Sequence, residues 1–202
     1  MNPAGLSAYY LNFCSVEPSN TFWTSESGGV IKLPTPIIEG ESMVKGHEKE
    51  VQLGVWSHGG TQPVAADLGG GQSIGRASFS DFTISLPGQV ASTKLLQHMC
   101  QGKLIKAAIV SAERTATQQS AGSTDAPGTK GPQIYAMWVF HNLMVSSYSD
   151  SGVAAGGMPM QHITLRAASI RTLHRQFDVK TGQPKGWDVQ YWDIRGNTSR
   201  IS

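Results

Sequence analysis

The chain has 202 residues, of which 39% are hydrophobic and only 15% charged, and its formal net charge is +2. That length suits one domain with a substantial core, and the low charge, with 23 glycines and 10 prolines, favours a β-rich, turn-rich domain. Lysines and arginines are dispersed along the chain, which argues against a nucleic-acid-binding patch. Low charge also suits a protein that covers its surface with copies of itself.

Cysteine content and the N-terminus limit the compartment. Cys14 and Cys100 are too few for a disulfide framework and favour synthesis in a reducing compartment, although a bond between them stays open. The first residues, MNPAGLSAYYLNF, lack the basic and apolar regions of a cleavable signal peptide. No apolar run approaches the roughly 18 residues that a transmembrane helix needs. We therefore expect cytoplasmic synthesis without membrane insertion, and any export by a route that reads no cleavable signal.

The first 30 residues hold one short apolar segment, AYYLNF, followed by a Ser-, Glu- and Gly-rich stretch. We interpret 1–30 as a weakly ordered or decorating extension and 31–202 as the β domain, with regular structure beginning at VIKL. Within EKEVQLGVWSHG, Val51, Leu53 and Val55 alternate with polar residues, which predicts a half-buried strand.

The glycine-rich segment 59–76 shows no periodicity and predicts a long loop. From Gly70 to Arg76 it approaches the P-loop pattern GxxxxGK[ST], but Arg76 replaces the lysine and Ala77 replaces the hydroxyl residue. The next segment, ASFSDFTISL, places Phe82, Ile84 and Leu86 on one face of a strand, whereas a P-loop leads into a helix. The pattern therefore favours a flexible or interface loop over a nucleotide site.

One helix is expected over ASTKLLQHMCQG, with Ser92 as its N-cap and Gly102 just after its last turn. Its apolar stripe comprises Leu95, Leu96, Met99 and Cys100. The segment KLIKAAIVSAERT predicts a strand after the helix, and 115–132 has the composition of a flexible insertion.

The remaining segments read as strands. QIYAMWVFHNLMVSSYS is apolar on both faces over 134–145, as in a strand that is central in its sheet or faces a partner subunit. HITLRAASIRTLHRQFDV alternates, Lys180-Thr181-Gly182 supplies a turn, and KGWDVQYWDI completes the sheet. Successive strands with one helix predict an antiparallel β-barrel or sandwich.

No catalytic, cofactor or metal site is predicted. The six histidines lack metal-ligand spacing and are interpreted as surface or strand residues, with a structural zinc site as the alternative; they are His47, His58, His98, His141, His162 and His174. Cys100 is interpreted as a small core residue. Glu39, Glu41, Glu48 and Glu50 surround a turn and are interpreted as a solvated loop. Trp187 and Trp192 are five apart and face opposite sides of a strand, with an aromatic ligand platform as an alternative.

Five separated segments carry a family resemblance through their order. They are EGESMVKGHEKEVQLGVWS (39–57), ASFSDFTI (77–84), ASTKLLQHMCQGKLIKAAIV (91–110), VSSYSDSG (145–152) and GWDV (186–189). Over about residues 31–192 the chain resembles the Hcp family, the tail-tube proteins of bacterial type VI secretion systems. The motif residues are Gly40, Glu41, Ser42, Phe79, Phe82, Ser146, Ser147, Gly186 and Trp187.

The resemblance implies a mainly β fold, a two-sheet antiparallel β-barrel with one flanking α-helix, six copies of which form a ring. Rings stack into a hollow tube that is wrapped by a contractile sheath, built on a baseplate, tipped by a VgrG spike and able to carry or chaperone effectors in its lumen. Sheath contraction expels the tube from the cell. The loop after the second strand is implied to contact the next ring, through Gln62, Pro63, Asp67, Gly69, Gly70, Gly71, Gln72, Ile74 and Arg76.

Two segments depart from the family pattern: the first 30 residues, and the loop 115–132, which is longer than usual. Each could decorate the tube or alter its stacking. Three alternatives stay open. One is the tail tube of another phage-derived contractile particle, another is a ligand- or glycan-binding barrel with exposed tryptophans, and the least favoured is an enzyme, because no nucleophile and base set emerges.

Overall fold

A computed structural model of the chain describes residues 8–16, 33–66, 72–114, 133–152, 157–177 and 184–199. Over these residues the chain forms fourteen strands and one helix. The strands are β1 (Ala8–Cys14), β2 (Val51–Gln52), β3 (Val55–Ser57), β4 (Gly60–Thr61), β5 (Val64–Ala66), β6 (Gln72–Ile74), β7 (Ser78–Phe79), β8 (Phe82–Pro87), β9 (Ile105–Arg114), β10 (Gln133–Ser151), β11 (Met160–Arg166), β12 (Ser169–Phe177), β13 (Pro184–Asp193) and β14 (Thr198–Ser199). The helix, α1, spans Val90–Gln101.

The strands close into an antiparallel barrel because two segments pass from one sheet to the other. β10 pairs with β9 over its first half and with β11 over Met144–Ser151. The segment 51–57 pairs with β1 through β2 and with β8 through β3, while β1 pairs with β9 and β8 with β11. The order β1–β9–β10–β11–β8–β3/β2 therefore returns to β1. β10 changes sheet near Asn142, whose φ of 50° lies in the left-handed region that asparagine tolerates better than most residues.

The second half of the predicted run 162–179 continues along β10 as a separate strand. β11 and β12 lie in line on the same edge of β10, and β12 pairs with Ala136–His141. The sequence predicted uninterrupted alternation, which is wrong at Ala167–Ala168, where the Ala168 N–H donates to the His141 carbonyl oxygen at 2.9 Å. β13 and β14 extend this sheet beyond β12. The predicted turn at 180–182 lies outside the described residues.

The hydrophobic core fills the barrel, and a second apolar cluster covers the outer face of β9 and β10. Inside, Phe82 stacks on Phe140 with ring centroids 4.2 Å apart. Outside, Met137 and Val139 are fully buried against neighbours that include Leu173. The prediction that β10 is buried on both faces is confirmed, and its two neighbours place it centrally. Burying each such side chain contributes roughly 1.5–3 kcal/mol.

β1 corrects the interpretation of the first 30 residues. Ala8–Cys14 pairs with β9 at seven successive positions, and Leu11 and Phe13 are fully buried in the barrel. A domain boundary at residue 30 therefore does not hold for this strand. The short apolar alternation in AYYLNFC decides its fate, whereas the polar residues after it dominated the composition. Residues 17–32 and 115–132 lie outside the described residues, so the expectations for them stay predictions.

The helix exists as predicted, but its start and one buried residue differ. It begins at Val90 after Gln89, and Ser92 lies buried in its first turn rather than capping it. Gly102 has a φ of 60° and ends the helix as predicted. Leu95 is buried, yet Cys100 is exposed. Five residues at about 100° each place Cys100 well away from the face that carries Leu95.

The predicted strand from Val51 to Val55 is confirmed only in its first part. Val51 and Leu53 are buried, but the side chain of Val55 is 64% exposed. Gly54 separates β2 from β3, and the chain changes sheet there. The alternation therefore does not carry through to Val55.

Candidate functional site

Residues 59–80 form a β-hairpin, here called the arm, which leaves the barrel between β3 and β8. β4 pairs with β7 at Gly60↔Phe79 and Thr61↔Ser78, and β5 pairs with β6 from Val64↔Ile74 to Ala66↔Gln72. The prediction of an irregular loop is therefore wrong for the described parts of this segment. Its strands lack apolar alternation because they do not contribute a face to the barrel core. Asp67, Gly69, Gly70 and Gly71 lie outside the described residues.

Backbone contacts hold the two sides of the arm together. The Ser80 N–H donates to the Gly59 carbonyl at 2.8 Å, and the Ser80 hydroxyl accepts from the Gly59 N–H at 2.9 Å. Further out, the Gln62 amide donates to the Gly75 carbonyl at 3.1 Å, and the Gly75 N–H donates to the Pro63 carbonyl at 2.9 Å. A Cβ on Gly75 would lie 2.6 Å from Pro63 Cγ, so this close approach requires glycine.

Arg76 ties the arm to the turn between β13 and β14. Its Nη2 donates to the Arg195 carbonyl at 2.7 Å. That turn is fixed by Asp193, whose Oδ1 accepts from the N–H groups of Arg195 and Gly196, both at 2.9 Å. The chain runs from Arg76 into β7 rather than into a helix, in agreement with the sequence argument against a P-loop. Arg76 acts here as a positioning residue for the arm.

A cavity of about 530 Å³, here called the head cavity, lies at the base of the arm. Its lining carries three arginines, Arg76, Arg166 and Arg195, and one aspartate, Asp81. Asp81 accepts from Arg166 Nε and from the Ser146 hydroxyl, each at 3.2 Å. Because only one carboxylate opposes three guanidinium groups, the cavity is electropositive.

His58 forms part of the same lining. Its ring stacks on Phe79 with centroids 5.9 Å apart and meets the edge of Phe140. Burial lowers the pKa of His58, although the Ser80 backbone and the Asp81 charge oppose that shift. His58 is therefore neutral near pH 7 and adds no charge to the head cavity.

The motif residues Gly40, Glu41 and Ser42 fold the segment 40–50 back on itself and connect it to α1. The Gly40 N–H donates to the Lys49 carbonyl at 2.7 Å, and the Ser42 N–H donates to the Glu50 carbonyl at 3.1 Å. A Cβ on Gly40 would overlap the backbone of Glu50, so only glycine fits. Glu41 Oε1 accepts from the Val90 N–H at 3.2 Å. This carboxylate supplies the negative charge that a helix N-terminus favours.

The other motif residues occupy structural positions. Phe79 packs near Trp192 as well as on His58, and Phe82 belongs to the barrel core. Ser147 lies at the register shift between β10 and β11, and Gly186 is exposed. Trp187 packs on the outer apolar cluster, with the Arg175 guanidinium 5.4 Å from its ring centre.

A buried charged cluster on the outer face of β1 and β9 was missed by the sequence argument. His47 Nδ1 lies 2.7 Å from Glu50 Oε2, and His47 Nε2 lies 3.6 Å from Glu113 Oε1. Asn12 Nδ2 donates to Glu50 Oε1 at 3.0 Å, and the Tyr10 ring stacks on His47 with centroids 3.9 Å apart. All five residues are buried. The expectations of a surface His47 and a solvated Glu50 are therefore wrong.

This His47 cluster carries a charged imidazole. Burial alone would lower the pKa of His47, but contacts with Glu113 and Glu50 and their negative charges outweigh it and raise the pKa to about 9. The stacked Tyr10 ring is also a favourable surface for a cation. Burial, assisted by Glu50, raises the pKa of the nearby Cys14 thiol to about 12, so this thiol is a poor nucleophile.

The four described tryptophans pack into the fold rather than forming a ligand platform. Trp56 and Trp138 lie 4.6 Å apart between ring centroids, and each described tryptophan is half-buried. Trp187 belongs to the outer apolar cluster while Trp192 packs against the barrel core, so the prediction that they face opposite sides is confirmed.

Two searches of the described residues returned no match. None of the helices found there has the length and apolar content needed to cross a membrane. No group of three or more His, Cys, Asp or Glu side chains within the described ranges is arranged to hold a metal ion.

Comparison with known proteins decides the family. A family model described as "Type VI secretion system effector, Hcp" matches residues 28–174, more than two thirds of the chain. The chain belongs to the Hcp family. The family resemblance seen in the sequence is thereby confirmed, and Hcp membership indicates a tube protein of type VI secretion.

Solved structures share the Hcp fold. A structure of a type six secretion system protein has a TM-score of 0.69 at 18% identity, covering 96% of this chain and all of the other. Hcp1 from Salmonella typhimurium has a TM-score of 0.64 at 18% identity, covering 96% and 99%. A type VI secretion system effector from Yersinia pestis has a TM-score of 0.55 at 17% identity, covering 92% and 99%. No curated protein matches the chain.

Proposed function

We propose that this chain is the tube subunit of a type VI secretion system, with six copies closing a ring and successive rings stacking through the arm. The observation that carries the proposal is the arm itself, a paired hairpin attached at one end of a closed barrel. Because it contributes nothing to the described core, its contacts are free for another copy. The family membership supports the same assignment.

Ring closure requires a heterologous interface, in which one patch of a subunit meets a different patch of the next. The low charged fraction of 15% supports extensive coverage by neighbouring copies, because charged residues are depleted at interface centres. The role is structural rather than enzymatic and needs no cofactor. The partners of the tube are a contractile sheath, a VgrG spike and baseplate proteins, with secreted effectors in the lumen. Nucleic acid and membrane are not partners.

Secretion tests this function directly. In the bacterium that encodes the chain, the tagged protein should appear in the culture medium only when the contractile sheath is functional. It is made in the cytoplasm and leaves through the type VI system without a cleavable signal peptide, so the secreted form should keep its N-terminus. Retention of a cytosolic marker in the cells controls for lysis. Equal release from sheath-deficient cells would contradict the proposal.

A further inference from the structure

Two recesses lie at opposite ends of β8. The head cavity adjoins the start of β8 at Phe82, next to the arm. A second recess of about 380 Å³, here called the tail recess, lies at the other end beside Pro87 and includes Gly54, Gly88 and Met158. Six strand residues at about 3.3 Å per residue separate the two by roughly 17 Å. The arm and the tail recess therefore mark different ends of the subunit.

Exposed apolar side chains surround the tail recess. Met158, which lines it, is 68% exposed, and Val55 and Val90, each next in sequence to a lining residue, are 64% and 57% exposed. Single exposed apolar residues are ordinary, but several around one recess are typical of an interaction site. Among the described residues that line it, Glu41 is the charged one, and its carboxylate already accepts from the Val90 N–H.

Charge favours contact between unlike ends. The head cavity carries three arginines and one aspartate, so two heads would oppose positive charge with positive charge. Head-to-tail contact instead brings that surface toward Glu41. Residues 62–75 of the arm contain a single charged residue, Asp67, and several small side chains. An almost uncharged hairpin suits an apolar recess because it brings little charge that must be desolvated.

We propose that the tail recess receives the arm of a second copy, so that rings join head to tail. This inference rests on the proposed tube function and names the surface that its arm contacts. Each subunit then uses its arm in one direction and its tail recess in the other. A heterologous contact of this kind leaves both ends of a stack open for further rings.

Crosslinking between introduced cysteines tests the contact. In a Cys100→Ser background, Ser73→Cys in the arm is combined with Met158→Cys at the tail recess and treated with a short bismaleimide. We expect covalent products larger than one ring. The matched control combines Ser73→Cys with Val16→Cys, because Val16 is 58% exposed and lines neither recess; it should give at least about tenfold less of these products. Equal yields from both pairs, or products no larger than one ring, would overturn the inference.

A charge substitution separates this inference from the proposed function. Met158→Asp places a carboxylate where the arm would cover it, and we expect at least about tenfold weaker ring stacking by light scattering with rings still intact. Val16→Asp should stack like the unaltered protein. If Met158→Asp rings stack normally, the tail recess is not the receptor while the tube function stands. If the unaltered chain forms no rings, the tube function itself fails.

Discussion

Removing residues 63–75 of the arm is expected to leave rings of normal size that no longer stack, and to abolish secretion. The deletion keeps the Gly60–Phe79 and Thr61–Ser78 pairs at the arm base and takes no residue from the described core. The melting temperature should therefore change little, while all contacts of the outer arm with the next ring are lost. Mass in solution and electron microscopy measure ring size and stacking, and immunoblots of culture medium measure secretion.

A matched control keeps the length of the arm. Replacing Gln62, outside the deleted segment, with Ala removes one hydrogen bond to the Gly75 carbonyl and should leave stacking and secretion nearly unchanged. Normal secretion of the deletion variant would show that the arm is not the stacking element. Loss of rings would show instead that the arm acts within a ring.

His47→Gln is expected to destabilise the folded chain by about 3–5 kcal/mol, the usual cost of removing one partner from a buried ion pair. The substitution leaves Glu50 and Glu113 buried without their cation. The control is Lys49→Gln, which removes an ion pair of similar length with Glu39, 3.0 Å, between largely exposed side chains. It should cost about 0–1 kcal/mol. Urea unfolding at one protein concentration compares both with the unaltered chain.

The same cluster predicts a pH dependence with a definite sign. The pKa of His47 is about 9 in the folded chain and about 6.5 when unfolded. Its contribution is therefore complete below pH 6.5 and disappears as the pH rises through 9, a difference of about 3 kcal/mol. His47→Gln should lack this loss. If the difference in unfolding free energy between the two proteins is the same at pH 6 and pH 10, His47 does not carry the charge assigned to it.

The sequence was most informative where side chains alternate beside the barrel core. Phe82, Ile84 and Leu86 are all buried on one face of β8, as predicted, and the two apolar faces of β10 correctly placed it at the centre. The arm strands were missed because their pairing depends on backbone contacts such as Gly75 to Pro63. Such contacts leave no side-chain periodicity in the sequence.

The functional surfaces were less accessible to sequence reasoning. The family resemblance drew attention to 62–76, but the tail recess is built from separate segments around Ser42, Gly54, Gly88 and Met158. The spacing of His47 and Glu50 in HEKE hints at a local pair. Glu113, however, reaches His47 only through the pairing of β9 with β1, and no local pattern encodes that contact.

The most direct test of the tube assignment is the mass of the purified chain in solution, combined with class averages from negative-stain microscopy. The account predicts rings of six copies with a central hole, which associate further along their axis at high concentration. A chain that stays monomeric at high concentration, or that closes rings of another size, would contradict it.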